Sequence, residues 1–196
     1  MQKLKRSDLW PLEQYAEQRP EFRRQVLEHK RTRQVGLGPH ARVYFEDRMT
    51  VQYQIQEMLR IERIFEPAAI QDELDAYNPL VPDGSNWKAT FMIEYEDPKE
   101  RQAALEQLSG IEDRVWLQIT GNEKIYAIAD EDIERERDGK TSAVHFLRFE
   151  VPPTAVAALY TGVGMAMGID HPNCMIEQTA VAPEVLASLR NDLDPA

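Results

Sequence analysis

The sequence predicts an α+β fold, a mostly antiparallel sheet packed against a long central helix and shorter helices, in a single domain spanning residues 1–196. Three observations carry that reading. Segments of period-two hydrophobicity are joined by hairpin-like turns and short excursions rather than by regular βαβ crossovers. The stretch Glu46 to Glu66 is helix-length, rich in apolar residues and free of glycine and proline. No composition shift, fixed-period repeat or low-complexity tract marks a boundary between units.

The elements follow in order. Pro20 and Glu21 open a helix that runs to about Thr32, with proline at the tolerated first-turn position. Gly36, Gly38 and Pro39 break the pattern, and Ala41 to Phe45 reads as a short strand. Residues 1–40 are thus a helical, basic N-terminal part, residues 41–77 a strand with the central helix, and residues 86–196 mainly β with short helices. In the central segment VQYQIQ has period two, but the ten residues after it are strong helix formers, which assigns the whole run to helix. At about 100° per residue, Met49, Tyr53, Ile61 and Ile64 fall on one side and Val51, Ile55, Met58 and Phe65 on the other. Glu57 lies within the first group and Glu62 within the second, so both carboxylates are expected to be withdrawn from water.

Ala68 to Tyr77 continues as a second helix after Pro67, and Asn78 to Asn86 is a loop with a Pro-Asp-Gly turn. Trp87 to Tyr95 alternates as a half-buried strand. Asp97-Pro98-Lys99-Glu100 supplies a cap and first turn for a helix to Leu108, ended by Gly110. Val115 to Thr120 and Lys124 to Ala129 make a hairpin across Gly121-Asn122, and Asp130 to Lys140 is a charged loop or frayed helix. Ser142 to Val151 is a strand, Thr154 to Tyr160 a helix, Met165 to Ile169 and Cys174 to Val181 strands, and Pro183 to Leu193 a closing amphipathic helix.

Composition narrows the function classes. Apolar runs are far too short to cross a bilayer, no secretory h-region follows the basic start, and the single Cys174 excludes an intrachain disulfide. The cytoplasm is the expected compartment. The net charge of −11 divides into 10 basic against 5 acidic residues over 1–43 and 13 against 29 over the remainder. So acidic a body argues against nucleic acid. The basic cluster His29, Lys30, Arg31, Arg33 reads as a solvated helix end.

The candidate pocket comprises Glu57, Arg60, Glu62, His145, Arg148, Glu150, Asp170 and His171. His145 shares an otherwise apolar strand face with Ala143, Leu147, Phe149 and Val151, where an imidazole needs a hydrogen-bond partner, a carboxylate or a metal. His171 stands between Asp170 and Pro172 at a strand exit. Glu57 or Glu62 with His145 and His171 would give oxygen and nitrogen ligands suited to Fe, Zn or Mn. The two glutamates lie about 140° apart on the helix, so one at most can join such a set. Arg60 is placed to pair with Glu57. No His-rich, P-loop, dinucleotide or nucleophile-elbow motif is present, so no motif marks the chain as an enzyme.

EMLRIERIFE (57–66), ELDAYNPLVPDGSN (73–86), IEDRVWLQI (111–119), YAIADED (126–132), KTSAVHFLRFE (140–150) and GIDHP (168–172) resemble the bacterial domain of unknown function 3501 family. That resemblance spans nearly the whole chain and implies no catalytic residue. It implies a setting beside a rubrerythrin-like di-iron protein and an iron–sulfur protein, hence an accessory role in redox or peroxide handling. Two other readings stand beside it. One is a metal-dependent enzyme or metal-binding protein built on the buried Glu and His. The other is a metal-free small-molecule binder using Arg148, Glu150 and the 78–86 loop as a lid.

Overall fold

Two four-stranded antiparallel sheets, rather than one, organise the molecule, whose computed structural model describes residues 2–129 and 141–195. The first contains β1 (Gln34–Leu37), β2 (Ala41–Glu46), β3 (Asn86–Ile93) and β6 (Val144–Glu150), in the order β1-β2-β3-β6. The second contains β4 (Val115–Ile119), β5 (Ile125–Tyr126), β7 (Met165–His171) and β8 (Cys174–Ala180), in the order β5-β4-β7-β8. Their facing sides close on each other. Val43, Phe45, Trp87, Ala89, Phe91, Leu147 and Phe149 from the first share one core with Val115, Leu117, Ile119, Met167 and Ile169 from the second. Each large side chain buried there contributes about 1.5–3 kcal/mol. Trp87, fully buried, also donates from Nε1 to the Leu189 carbonyl at 2.9 Å. The sheets are stitched along one edge, where Ile128 and Arg148 exchange backbone bonds of 2.8 and 2.9 Å.

The helices α4 (Pro98–Gln107), α5 (Pro153–Tyr160) and α6 (Pro183–Arg190) all carry proline in the first turn, where its missing N–H removes no helix bond. Asp97 caps α4 by accepting from Lys99 and Glu100, as its sequence signature predicts. In β7, Gly168 is dictated by close approach: a Cβ there would stand 2.3 Å from the Trp116 ring and 2.4 Å from the Ile176 carbonyl.

A helical layer covers the outer face of the first sheet. Helix α1 (Leu12–Arg31) buries Tyr15, Phe22 and Val26, spaced to share one face, against Met49 and Tyr53 of α2 (Arg48–Glu62). The other side of α2 buries Val51, Ile55 and Leu59 with Leu74 of α3 (Pro67–Tyr77), and Phe146 of β6 packs against this group.

Three expectations are corrected. Helix α1 begins eight residues before Pro20 and passes through it, because the buried face on both sides offsets the bond lost to the Ala16 carbonyl. Residues 34–37 form a strand paired with β2, with Val35 and Leu37 buried despite the flanking glycines. Helix α2 is capped by Asp47 and stops at Glu62, where Arg63 turns left-handed with φ 57°. The expected burial of both sides therefore fails at its end, since Ile61 is 62% exposed and Phe65, beyond the helix, is 57% exposed. The charged loop or frayed helix expected from Asp130 to Lys140 lies outside the described residues.

Candidate functional site

The residues singled out in the sequence separate into distinct places. Glu57 is the centre of a lock between α1 and α2. Arg19 grips it with two hydrogen bonds of 2.8 and 2.9 Å, Tyr15 Oη donates at 2.7 Å, and Arg60 adds longer bonds of 3.3 and 3.2 Å. The Arg19 bonds dominate and hold the Glu57 carboxyl at about 2. Burial, followed by the hydrogen bond to Glu57, pushes the Tyr15 phenol up. With three donors around it, Glu57 is spoken for. Glu62, expected to be buried, is exposed at the end of α2.

His145 is buried on the inner face of β6, with Nε2 2.9 Å from the Ser142 carbonyl, 3.0 Å from Thr141 Oγ1 and 3.8 Å from Glu112. It cannot meet Glu57, because Phe146, the next residue, faces α2 and the sheet itself intervenes. His171, expected in an open turn, is also buried; its Nε2 contacts the Ser109 carbonyl at 3.1 Å and its Nδ1 accepts from Asn173 N. Asp170 points away from it and accepts from Trp116 Nε1, Lys124 Nζ and Tyr126 Oη. These donors, Lys124 foremost, hold the Asp170 carboxyl below its ordinary value. Arg148 pairs with Glu150. Among the described residues no group of three or more His, Cys, Asp or Glu is gathered as a metal site requires. Neither Glu57 nor Glu62 of α2 is therefore brought together with His145 and His171, which lie beyond the first sheet on its inner side.

The basic cluster is corrected at Arg33, which is 2% exposed. Its guanidinium bonds the carbonyls of Phe45 and Glu46, pairs with Asp192, and lies 3.5 Å from Asp47. His29 Nε2 meets Asp47 at 2.5 Å. Burial raises the Asp192 carboxyl to about 6 against the pull of Arg33. For Asp47 the same burial is outweighed by the His29 hydrogen bond and the Arg33 charge, so it lies low.

Sequence reasoning missed the feature with the shape of a binding site. Between the outer face of the first sheet and the helical layer lies a cleft of about 380 Å³. Its floor is two cross-strand rows set by the register, Tyr44–Thr90–Phe146 and, one step along, Met92–Val144. Val51 and Gln54 of α2, Tyr77 at the end of α3 and Leu80 just beyond it form its walls, and Lys30 reaches its rim from α1. Into it Glu46 presents a carboxylate whose oxygens accept from Thr90 Oγ1 at 2.7 Å and Thr50 Oγ1 at 2.6 Å. Tyr44 Oη is turned to Glu94 at 3.0 Å. One signal was available in the sequence. Outward positions of β3 and β6 hold Met92, Val144 and Phe146, too apolar for a face left to water.

A family model described as "Protein of unknown function (DUF3501)" matches residues 3–193. The chain belongs to the DUF3501 family. A solved structure from Burkholderia pseudomallei, a novel protein of unknown function, is similar to it at 52% identity and a TM-score of 0.94, covering 98% of this chain and 100% of that one. No curated protein matches the chain. The DUF3501 fold is thus confirmed over its length as two antiparallel sheets with helices, and no described helix is long and apolar enough to cross a membrane.

Proposed function

We propose that this DUF3501 protein is a binding protein for a small organic molecule, held in the cleft between α2 and the outer face of the first sheet. One observation carries the reading: a hydroxyl-anchored carboxylate, Glu46, stands in a concave and otherwise mostly apolar space. That composition, apolar walls with few oriented polar groups, is what ligand sites share. The metal-free reading of the sequence is favoured with different residues. Leu80 of the 78–86 loop does border the cleft, whereas Arg148 and Glu150 do not. Binding is the role assigned.

Thermal-shift screening of the full chain against a metabolite library tests it, since a ligand of the native state raises Tm by mass action. A hit should be lost in Gln54→Trp, which fills the cleft from an exposed helix position without changing the unliganded Tm. Hits indifferent to that substitution, or none, would overturn the reading.

The acidic balance of residues 44–196, 13 basic against 29 acidic, favours a second reading. Such a surface suits a basic partner face, as in the accessory role beside di-iron and iron–sulfur proteins that the family resemblance implies. Co-purification of the tagged protein at low and moderate salt tests it, and recovery of neither partner would remove it.

A further inference from the structure

We infer that the cleft takes an organic amine, a molecule with an apolar ring-sized body and a protonated nitrogen docked on Glu46. The inference rests on the small-molecule reading above and narrows it. Both oxygens of Glu46 are positioned by a hydroxyl, Thr90 on one and Thr50 on the other. A hydroxyl gives a single neutral hydrogen bond, so the carboxylate keeps further lone-pair directions. Among the described residues no Lys, Arg or His comes within ion-pair distance of it. Its register neighbour Lys88 is buried, does not line the cleft, and acts on Asp83. The carboxylate is therefore held in place with its charge unanswered.

Its surroundings select what answers it. Apolar Val51, Leu80 and Phe146 lower the local dielectric, which strengthens a charge-assisted N–H···O bond over its value in water. Tyr44 and Tyr77 line the cleft with aromatic surface for a cation or for a ring attached to it. Lys30, the remaining charged group of the cleft, sits on a long flexible stem at the rim and can swing into solvent. An anion bound by Lys30 would instead have to sit against Glu46, which carries no compensating cation.

Three probes sharing one ring decide the matter: 2-phenylethylamine, 2-phenylethanol and 3-phenylpropionate, titrated at neutral pH into the uniformly 15N-labelled full chain. The amine is expected to shift the amides of Glu46, Thr90 and Phe146 and to bind about ten-fold more tightly than the alcohol. Glu46→Gln keeps both hydroxyl bonds but not the charge, and should make amine and alcohol equal. Lys30→Gln, at a half-exposed position, should retain the amine preference and lose what propionate binding exists. Equal binding of all three, or preference for propionate, overturns the amine assignment and leaves the binding reading standing. If no probe moves those amides at millimolar concentration, the cleft reading falls and this inference with it.

Discussion

The two faces of the first sheet are made by the same strands and serve opposite ends. On the inner side β2, β3 and β6 present Val43, Phe45, Trp87, Ala89, Phe91, Leu147 and Phe149, all buried, to the second sheet. On the outer side the alternate residues are mixed, Tyr44, Glu46, Thr90, Met92, Val144 and Phe146, and helices cover them without filling the space. Close packing specifies the first face, and paired polar groups specify the second. Where packing is left incomplete around oriented hydrogen-bonding groups, binding is the expected use.

The sharpest way to break this contrast is to empty one position on the filled face. Trp87→Ala should cost about 5 kcal/mol in chemical denaturation, from the cavity and the orphaned Leu189 carbonyl together. Phe146→Ala, only partly buried on the other face, should cost clearly less. Equal losses would mean that the outer face is packed as tightly as the inner one.

Next in size is the charge network at the seam of helices and sheet. Arg33→Met removes the one guanidinium shared by Asp47 and Asp192 and should destabilise by about 4 kcal/mol, the cost of stranding buried carboxylates. The pH dependence has a definite sign. Asp192 holds its proton to about 6 in the folded state against 3.8 unfolded, so its contribution falls as pH rises from about 4 to about 6 and is level above that. Asp192→Asn should flatten that part of the stability curve.

Glu57 behaves the other way. Its carboxyl titrates at about 2 when folded and 4.5 unfolded, so the stability it adds is complete above about 4.5 and is lost as pH falls toward 2. Because it is slightly exposed, the loss is on the order of 2 kcal/mol, less than the full shift implies. Comparing Glu57→Gln with the parent by thermal melts at pH 7 and pH 3 checks it. The gap between the two proteins should be widest at pH 7 and shrink by about half or more at pH 3; a constant gap would refute the assignment.

The same contrast explains what the sequence disclosed. The inner-face alternation of β3 and β6, the Asp97 cap and the helix after Pro67 are local patterns, and each stands where the sequence predicts it. The pairing of Glu57 with Arg60, three residues on, is local as well. Its stronger partners, Tyr15 and Arg19, come from another helix and leave no local trace. Arg33 looks like a surface cation because its partner Asp192 is 159 residues away. Four residues with one glycine inside and another just after are too few to announce β1, which exists because β2 supplies its hydrogen bonds. The cleft is the least legible feature. Its floor depends on the register that sets Tyr44 beside Thr90 and Thr90 beside Phe146, and register is a tertiary fact.

The smallest effect separates the faces most cleanly, because one exchange of hydroxyl for methyl can be made on each. Val43→Thr puts a hydroxyl among apolar side chains of the inner core and should cost about 2 kcal/mol. Thr90→Val makes the reverse exchange on the outer face, where the position is half-buried and its hydroxyl donates to Glu46. Removing that bond should cost about 1 kcal/mol or less, since the carboxylate oxygen still has access to water. What should change is the placement of Glu46, freed on one oxygen, so that amine binding weakens about three-fold while the fold is nearly as stable as before. A Thr90→Val variant that melts far lower but binds unchanged would reverse the roles assigned to the two faces.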